Sequence, residues 1–105
     1  VSKRSKACAI PPEVKEAVWY RDRGECVLCK KRVGPQYASA HFISRAQGGL
    51  GVEQNVLTLC WDCHMQYDQS TEHEEIEKKL EKYLRDKYPG WDRSDLIFDK
   101  WRCFK

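Results

Sequence analysis

Two short loops, Cys26-Val27-Leu28-Cys29 and Cys60-Trp61-Asp62-Cys63, stand 30 residues apart. A Cys-x2-Cys loop lets two thiolates reach one ion at about 2.3 Å, and a pair of such loops completes a tetrahedral Zn2+ site. A chain held this way must bring residues 26–29 and 60–63 together. The opening stretch VSKRSKACAIPPE is basic and shows no apolar h-region, so no secretory signal is visible. A reducing, cytoplasmic setting is therefore expected, where thiols stay free rather than pair as disulfides. A thioredoxin-like redox motif calls for one active Cys-x2-Cys in a βαβ context, and two copies fit it poorly. Zinc also answers a physical need, because a chain of 105 residues with few aliphatic side chains gains stability from metal binding. Cys8 and Cys103 fall in no ligand spacing and read as ordinary thiols.

The length suits one domain, and an aromatic content of 11% argues against disorder. No apolar run approaches the roughly 20 residues that span a bilayer, so no membrane segment is expected. The formal charge of +3 is unevenly spread. Residues 1–50 carry ten Lys/Arg and four Asp/Glu, a balance of +6, while residues 51–105 carry nine and twelve, a balance of −3. A basic half of this kind suits a polyanion partner; a solvated surface of mixed sign is the plainer reading.

Along the chain, residues 1–9 read as a flexible basic arm. Pro11-Pro12 opens a helix to about Arg23, with Val14, Ala17, Val18 and the stem of Arg21 at helical spacing. From Cys26 to Ile43 two short strands are expected around Gly34-Pro35. Residues 44–54, with Gly48, Gly49 and Gly51, read as a loop. A helix begins near Asp62 and places His64 and Asp68, four residues apart, on one face. Residues 72–88 form the clearest helix, with Ile76, Leu80, Tyr83, Leu84 and Tyr88 as its apolar stripe and Pro89-Gly90 as its stop. His73, among glutamates at its start, is expected to be solvated. The aromatic tail (Trp91, Phe98, Trp101, Phe104) is expected to pack on the domain or against another subunit.

A zinc ribbon needs only its cysteines, so His41, Asn55 and His64 between and beside them carry information. The order Cys-x2-Cys, His, Gly-Gly, Asn, Cys-x2-Cys-His resembles the HNH endonuclease family, through SAHFISRAQGG and EQNVLTLCWDCH over roughly residues 18–68. The resemblance implies an α+β chain with a small ββα-metal (His-Me finger) core, braced by the four-cysteine zinc site and flanked by α-helices. It divides the chain into the arm 1–9, a nuclease core 10–70, and a C-terminal helix and tail 71–105. It also implies DNA phosphodiester hydrolysis leaving 5′-phosphate and 3′-hydroxyl ends. In that scheme His41 is the general base, and His64 holds a divalent ion acting as a Lewis acid. Asn55 either braces the His41 loop or lends its carbonyl to the metal. The relatives it resembles are small bacterial and prophage enzymes, some of which assist a terminase; a restriction-enzyme subunit differs in biology more than in chemistry.

The family places Asp or His just before the base, where this chain has Ala40. Asp68 is the replacement ligand expected here; alternatively, His41 binds the metal and solvent replaces the base. Imidazole and carboxylate ligands suit Mn2+ or Ni2+ at least as well as Mg2+. Phosphate contacts are expected from Lys3, Arg4, Lys6, Arg21, Arg23, Lys30, Lys31, Arg32 and Arg45. No recognition helix is evident, so sequence specificity should be low. One site per chain nicks one strand, and a double-strand cut needs a homodimer or two events. The competing reading is a non-catalytic zinc-ribbon module that binds nucleic acid or protein.

Overall fold

The computed structural model describes residues 3–98. Trp101, Cys103 and Phe104 lie outside them. Four α-helices, α1 (Lys3–Cys8), α2 (Pro12–Arg21), α3 (Trp61–Gln69) and α4 (His73–Lys87), surround a two-stranded sheet. In that sheet β1 (Ala40–His41) runs antiparallel to β2 (Val56–Leu57), with Ala40 opposite Leu57 and His41 opposite Val56. The architecture is α+β. Among the described residues no helix is long and apolar enough to cross a membrane.

The helices follow local chemistry. Pro12 sits in the first turn of α2, where its missing N–H costs nothing. The helix stops because Arg23 and Gly24 turn left-handed, at φ 59° and 67°. A side chain at Gly24 would press on the Trp19 indole, whose Nε1 donates to the Val33 carbonyl at 3.0 Å. In α4 the buried positions Ile76, Leu80 and Leu84 recur every fourth residue, while the solvent side carries exposed i,i+4 pairs such as Lys82–Asp86. One core joins the cysteine loops, the sheet, α3 and α4; a second, smaller one holds α2 against Ala38 and Val56.

Three expectations change. The first residues are a helix rather than a loose arm, with Cys8 buried and Arg4 donating to the Ala46 carbonyl at 2.8 Å. No hairpin forms around Gly34-Pro35, which is a 3-10 turn, Pro35–Tyr37. Residues 25–32 instead close on themselves as the first cysteine knuckle, and β1 finds its partner beyond the glycine loop. Of the tail, Trp91 and Leu96 pack on the core, and Trp91 meets Phe42 edge-on at 5.6 Å.

Arg21 is the third. Its guanidinium, 11% exposed, grips the fully buried Asp22 carboxylate through two bonds of 2.7 and 3.0 Å. It also donates to the carbonyls of Glu53 and Val56, each at 2.8 Å, and to the Tyr88 hydroxyl at 3.1 Å. Asp22 in turn accepts from the Thr58 amide at 2.9 Å and the Tyr83 hydroxyl at 2.6 Å. Burial works against the Arg21 charge, but the Asp22 carboxylate outweighs it and raises the pKa further. Arg21 is thus an internal rivet between α2, β2 and α4, not a phosphate contact. Removing one partner of a buried pair strands the other, so Asp22→Ala should cost about 3–5 kcal/mol. The midpoint of denaturant unfolding measures this; a loss below about 1 kcal/mol, the scale of surface pairs, would reject the rivet.

Candidate functional site

The two cysteine loops meet. Cys26 follows the left-handed turn at Arg23 and Gly24, and its amide donates to the Lys31 carbonyl at 2.8 Å. Lys30, at φ 66°, closes the knuckle by donating back to the Cys26 carbonyl. Cys60 is the N-cap of α3, with its Sγ accepting from the Cys63 amide at 3.5 Å. The four Sγ atoms all lie within 4.8 Å of one another, and Cys29 and Cys60 are 3.6 Å apart. A tetrahedron with bonds of about 2.3 Å has edges of ~3.8 Å, so four sulfurs this close could hold one metal ion such as zinc. Their acidities point the same way. Burial opposes ionisation of Cys26, but the amides of Cys29, Cys60 and Leu28 outweigh it and lower its pKa to about 7. Burial, together with the neighbouring Cys60 and Cys26 thiols, pushes Cys63 well above the ordinary thiol range. Four crowded thiols cannot all ionise unless a cation joins them.

A second constellation lies beside the first. His41 ends β1, and its Nε2 lies 2.8 Å from the Cys8 carbonyl oxygen. A carbonyl only accepts, so Nε2 carries the hydrogen and the neutral ring keeps a lone pair on Nδ1. Burial lowers the His41 pKa; the Cys8 carbonyl opposes this, and Arg45 and His64 add to it. Asn55 is fully buried. Its Oδ1 accepts from the Ile43 amide at 2.8 Å, while its Nδ2 donates to the carbonyls of Ile43 and Leu50 at 3.1 and 2.8 Å. With its oxygen occupied in this way, Asn55 braces the loop that follows His41. Gly49 is required there, since a Cβ would fall 1.7 Å from the Ile43 carbonyl oxygen.

On α3, His64 Nε2 and Asp68 Oδ2 are 3.3 Å apart. The Tyr67 hydroxyl fixes that helix to β1 by donating to the Phe42 carbonyl at 2.7 Å. A cleft of about 500 Å3 opens between these elements, with His41, Tyr67, Asp68, His73, Glu77 and Arg93 in its wall. His73 is exposed, as expected, and also makes contacts of its own. Its ring stacks on Tyr67 at 4.6 Å and bonds the Tyr67 carbonyl. Tyr67, Glu77 and Arg93 went unread as cleft residues, since they come from three separate elements and no local spacing links them. Among the described residues, the cysteines are the only three or more His, Cys, Asp or Glu ligand atoms gathered this closely. His64 and Asp68 therefore offer a pair, and Ala40, 1% exposed, offers no ligand.

No family model, curated protein or solved structure matches this chain. Lys3, Arg4 and Lys6 on α1, together with Arg23, Lys30, Lys31, Arg32 and Arg45, are exposed. Arg21 alone of the nine expected phosphate contacts is turned inward.

Proposed function

We propose that the chain is a divalent-metal-dependent DNA endonuclease of the HNH type, in which β1, β2 and α3 act as a ββα-metal core and the four cysteines hold structural zinc. The observation that carries this reading is the bond from His41 Nε2 to the Cys8 carbonyl, which leaves Nδ1 free as a base on a residue that lines the same cleft as Asp68. A lowered pKa keeps that ring neutral near pH 7, as a proton acceptor requires.

In the proposed reaction, Nδ1 of His41 takes a proton from water and the hydroxyl oxygen bonds to phosphorus. The bond from phosphorus to O3′ breaks, leaving the phosphate on O5′ of the following nucleotide, and O3′ takes a proton from solvent to become a hydroxyl. Asn55 holds the loop behind His41, so the ring keeps its aim. Mn2+, Mg2+ or Ni2+ held by His64 and Asp68 would supply Lewis-acid stabilisation of the charge on the phosphoryl oxygens. Eight exposed cations would position the duplex without reading its sequence.

Conversion of supercoiled plasmid to open circles with Mn2+, Mg2+ or Ni2+, and its loss with EDTA, tests the proposal. No cleavage with any of these ions by a zinc-loaded protein would sink it. The buried methyl of Ala40 favours a second reading, a zinc-ribbon module that binds nucleic acid or protein without cutting. Asp68→Ala probes the ion site directly. The Mn2+ concentration giving half-maximal nicking should rise at least about 10-fold, and an unchanged titration would reject Asp68 as a ligand.

A further inference from the structure

We propose that the face of the zinc knuckle is a docking site for an unpaired nucleotide of single-stranded DNA, with the Trp61 indole as its stacking platform. Trp61 is 64% exposed, whereas the indoles of Trp19 and Trp91 are tied by Nε1 hydrogen bonds to the Val33 and Gln54 carbonyls. It occupies the first turn of α3, immediately after Cys60, so its backbone is set by the metal loop. Beside it lies a groove of about 300 Å3, with Lys31, Arg32, Gly34, Tyr37 and Asp62 in its wall. Lys31 and Arg32 are exposed and make no ion pair among the described residues.

An exposed aromatic face beside two uncompensated cations matches the chemistry of an unpaired nucleotide, whose base stacks while its phosphate meets the cations. An acidic peptide would answer the cations but leave the indole face without a partner. A duplex keeps its bases stacked on each other and withholds them. Asp62 is the one carboxylate at the groove and sets an upper limit on its pull for anions. Trp61, His64 and Asp68 are spaced i, i+3 and i+7, which places them on one side of α3. The groove and the His41 cleft share no lining residue, so this inference goes beyond the hydrolytic reading and does not depend on it.

Fluorescence anisotropy with labelled dT12, the matching duplex and rU12, on zinc-loaded protein without added divalent ion, tests it. An unlabelled acidic peptide serves as competitor. The single strand should bind more tightly than the duplex, and Trp61→Ala should weaken dT12 at least about five-fold while Trp61→Phe restores most of it. The double variant Lys31→Ala, Arg32→Ala should weaken dT12 and flatten its dependence on log salt by about 1.4. In the parent protein, dT12 should also shield tryptophan from acrylamide, with the shielding reduced in Trp61→Phe. Equal binding of duplex and dT12, or of Trp61→Ala and the parent at native zinc content, would overturn the proposal. So would tighter binding of rU12, which makes the strand RNA, or displacement by the acidic peptide, which makes the partner a protein. Because binding is read without cleavage, failure here leaves the nuclease reading standing, and the reverse also holds.

Discussion

Cys60→Ser is expected to leave the chain without zinc and without a cooperative fold. Structural zinc in small sites contributes an apparent 10–16 kcal/mol or so at pH 7, against a typical total stability of about 5–15 kcal/mol. Cys60 is the most exposed to this arithmetic, because one sulfur is a helix cap, a core atom and, in the proposed site, a ligand. Serine in its place weakens the ion's hold, and the three remaining thiols are left crowded with nothing to join them. Metal analysis should find one zinc per parent chain and far less in the variant. Thermal melting followed by circular dichroism should lose its sharp transition. Cys8→Ser is the matching control: Cys8 is buried at 2% exposure but stands outside the cluster, so its variant should keep stoichiometric zinc. A Cys60→Ser protein that melts like the parent would remove zinc from the account of the fold.

His41→Ala should abolish nicking at the level of about 10²–10⁴-fold while leaving zinc content and secondary structure intact. The size follows from losing a positioned base rather than a binding contact, so the plasmid should still bind at low salt. The pH profile carries a second signature. Burial first of all lowers the His41 pKa from its ordinary value, so the neutral, proton-accepting ring survives to lower pH than a free imidazole. Plotted as kcat/KM, activity should rise with pH through an acid limb lying below about 6.5 and stay level above it. A limb at or above that value, or residual nicking in the variant within a few-fold of the parent, would move the base elsewhere.

What could be read from the residues alone was whatever is settled within a few positions. The two cysteine loops are local, so the four-cysteine cluster was visible as spacing. Helix α4 announced itself through Ile76, Leu80 and Leu84 and through Pro89-Gly90, because periodicity and a stop signal act on near neighbours. Strand β1 lies within the expected span, but its partner was misplaced because each strand is two residues long, too short for alternation to register, and because residues 26–32 obey the knuckle rather than a hairpin. Arg21 misled for a related reason. A charge on a helix reads as solvated unless its partners are known, and besides Asp22 those partners lie 32 to 67 residues further on. The cleft behaves similarly: His41 stands out by its place between the cysteine loops and Asp68 by its spacing from His64, whereas His73 and Arg93 reach it only through the packing of α4 and the turn beyond it.

The capping of α3 by Cys60 imposes an order on events. A helix of nine residues does not persist alone in water. Its start is set by the Cys60 sulfur, which accepts from the Cys63 amide, and the rows of side chains further along inherit their direction from that start. The bearing of His64 and Asp68 toward β1 thus depends on the closed arrangement of the two cysteine loops. With zinc in the cysteine cluster, as proposed, loading of the ion would come before anything the cleft does.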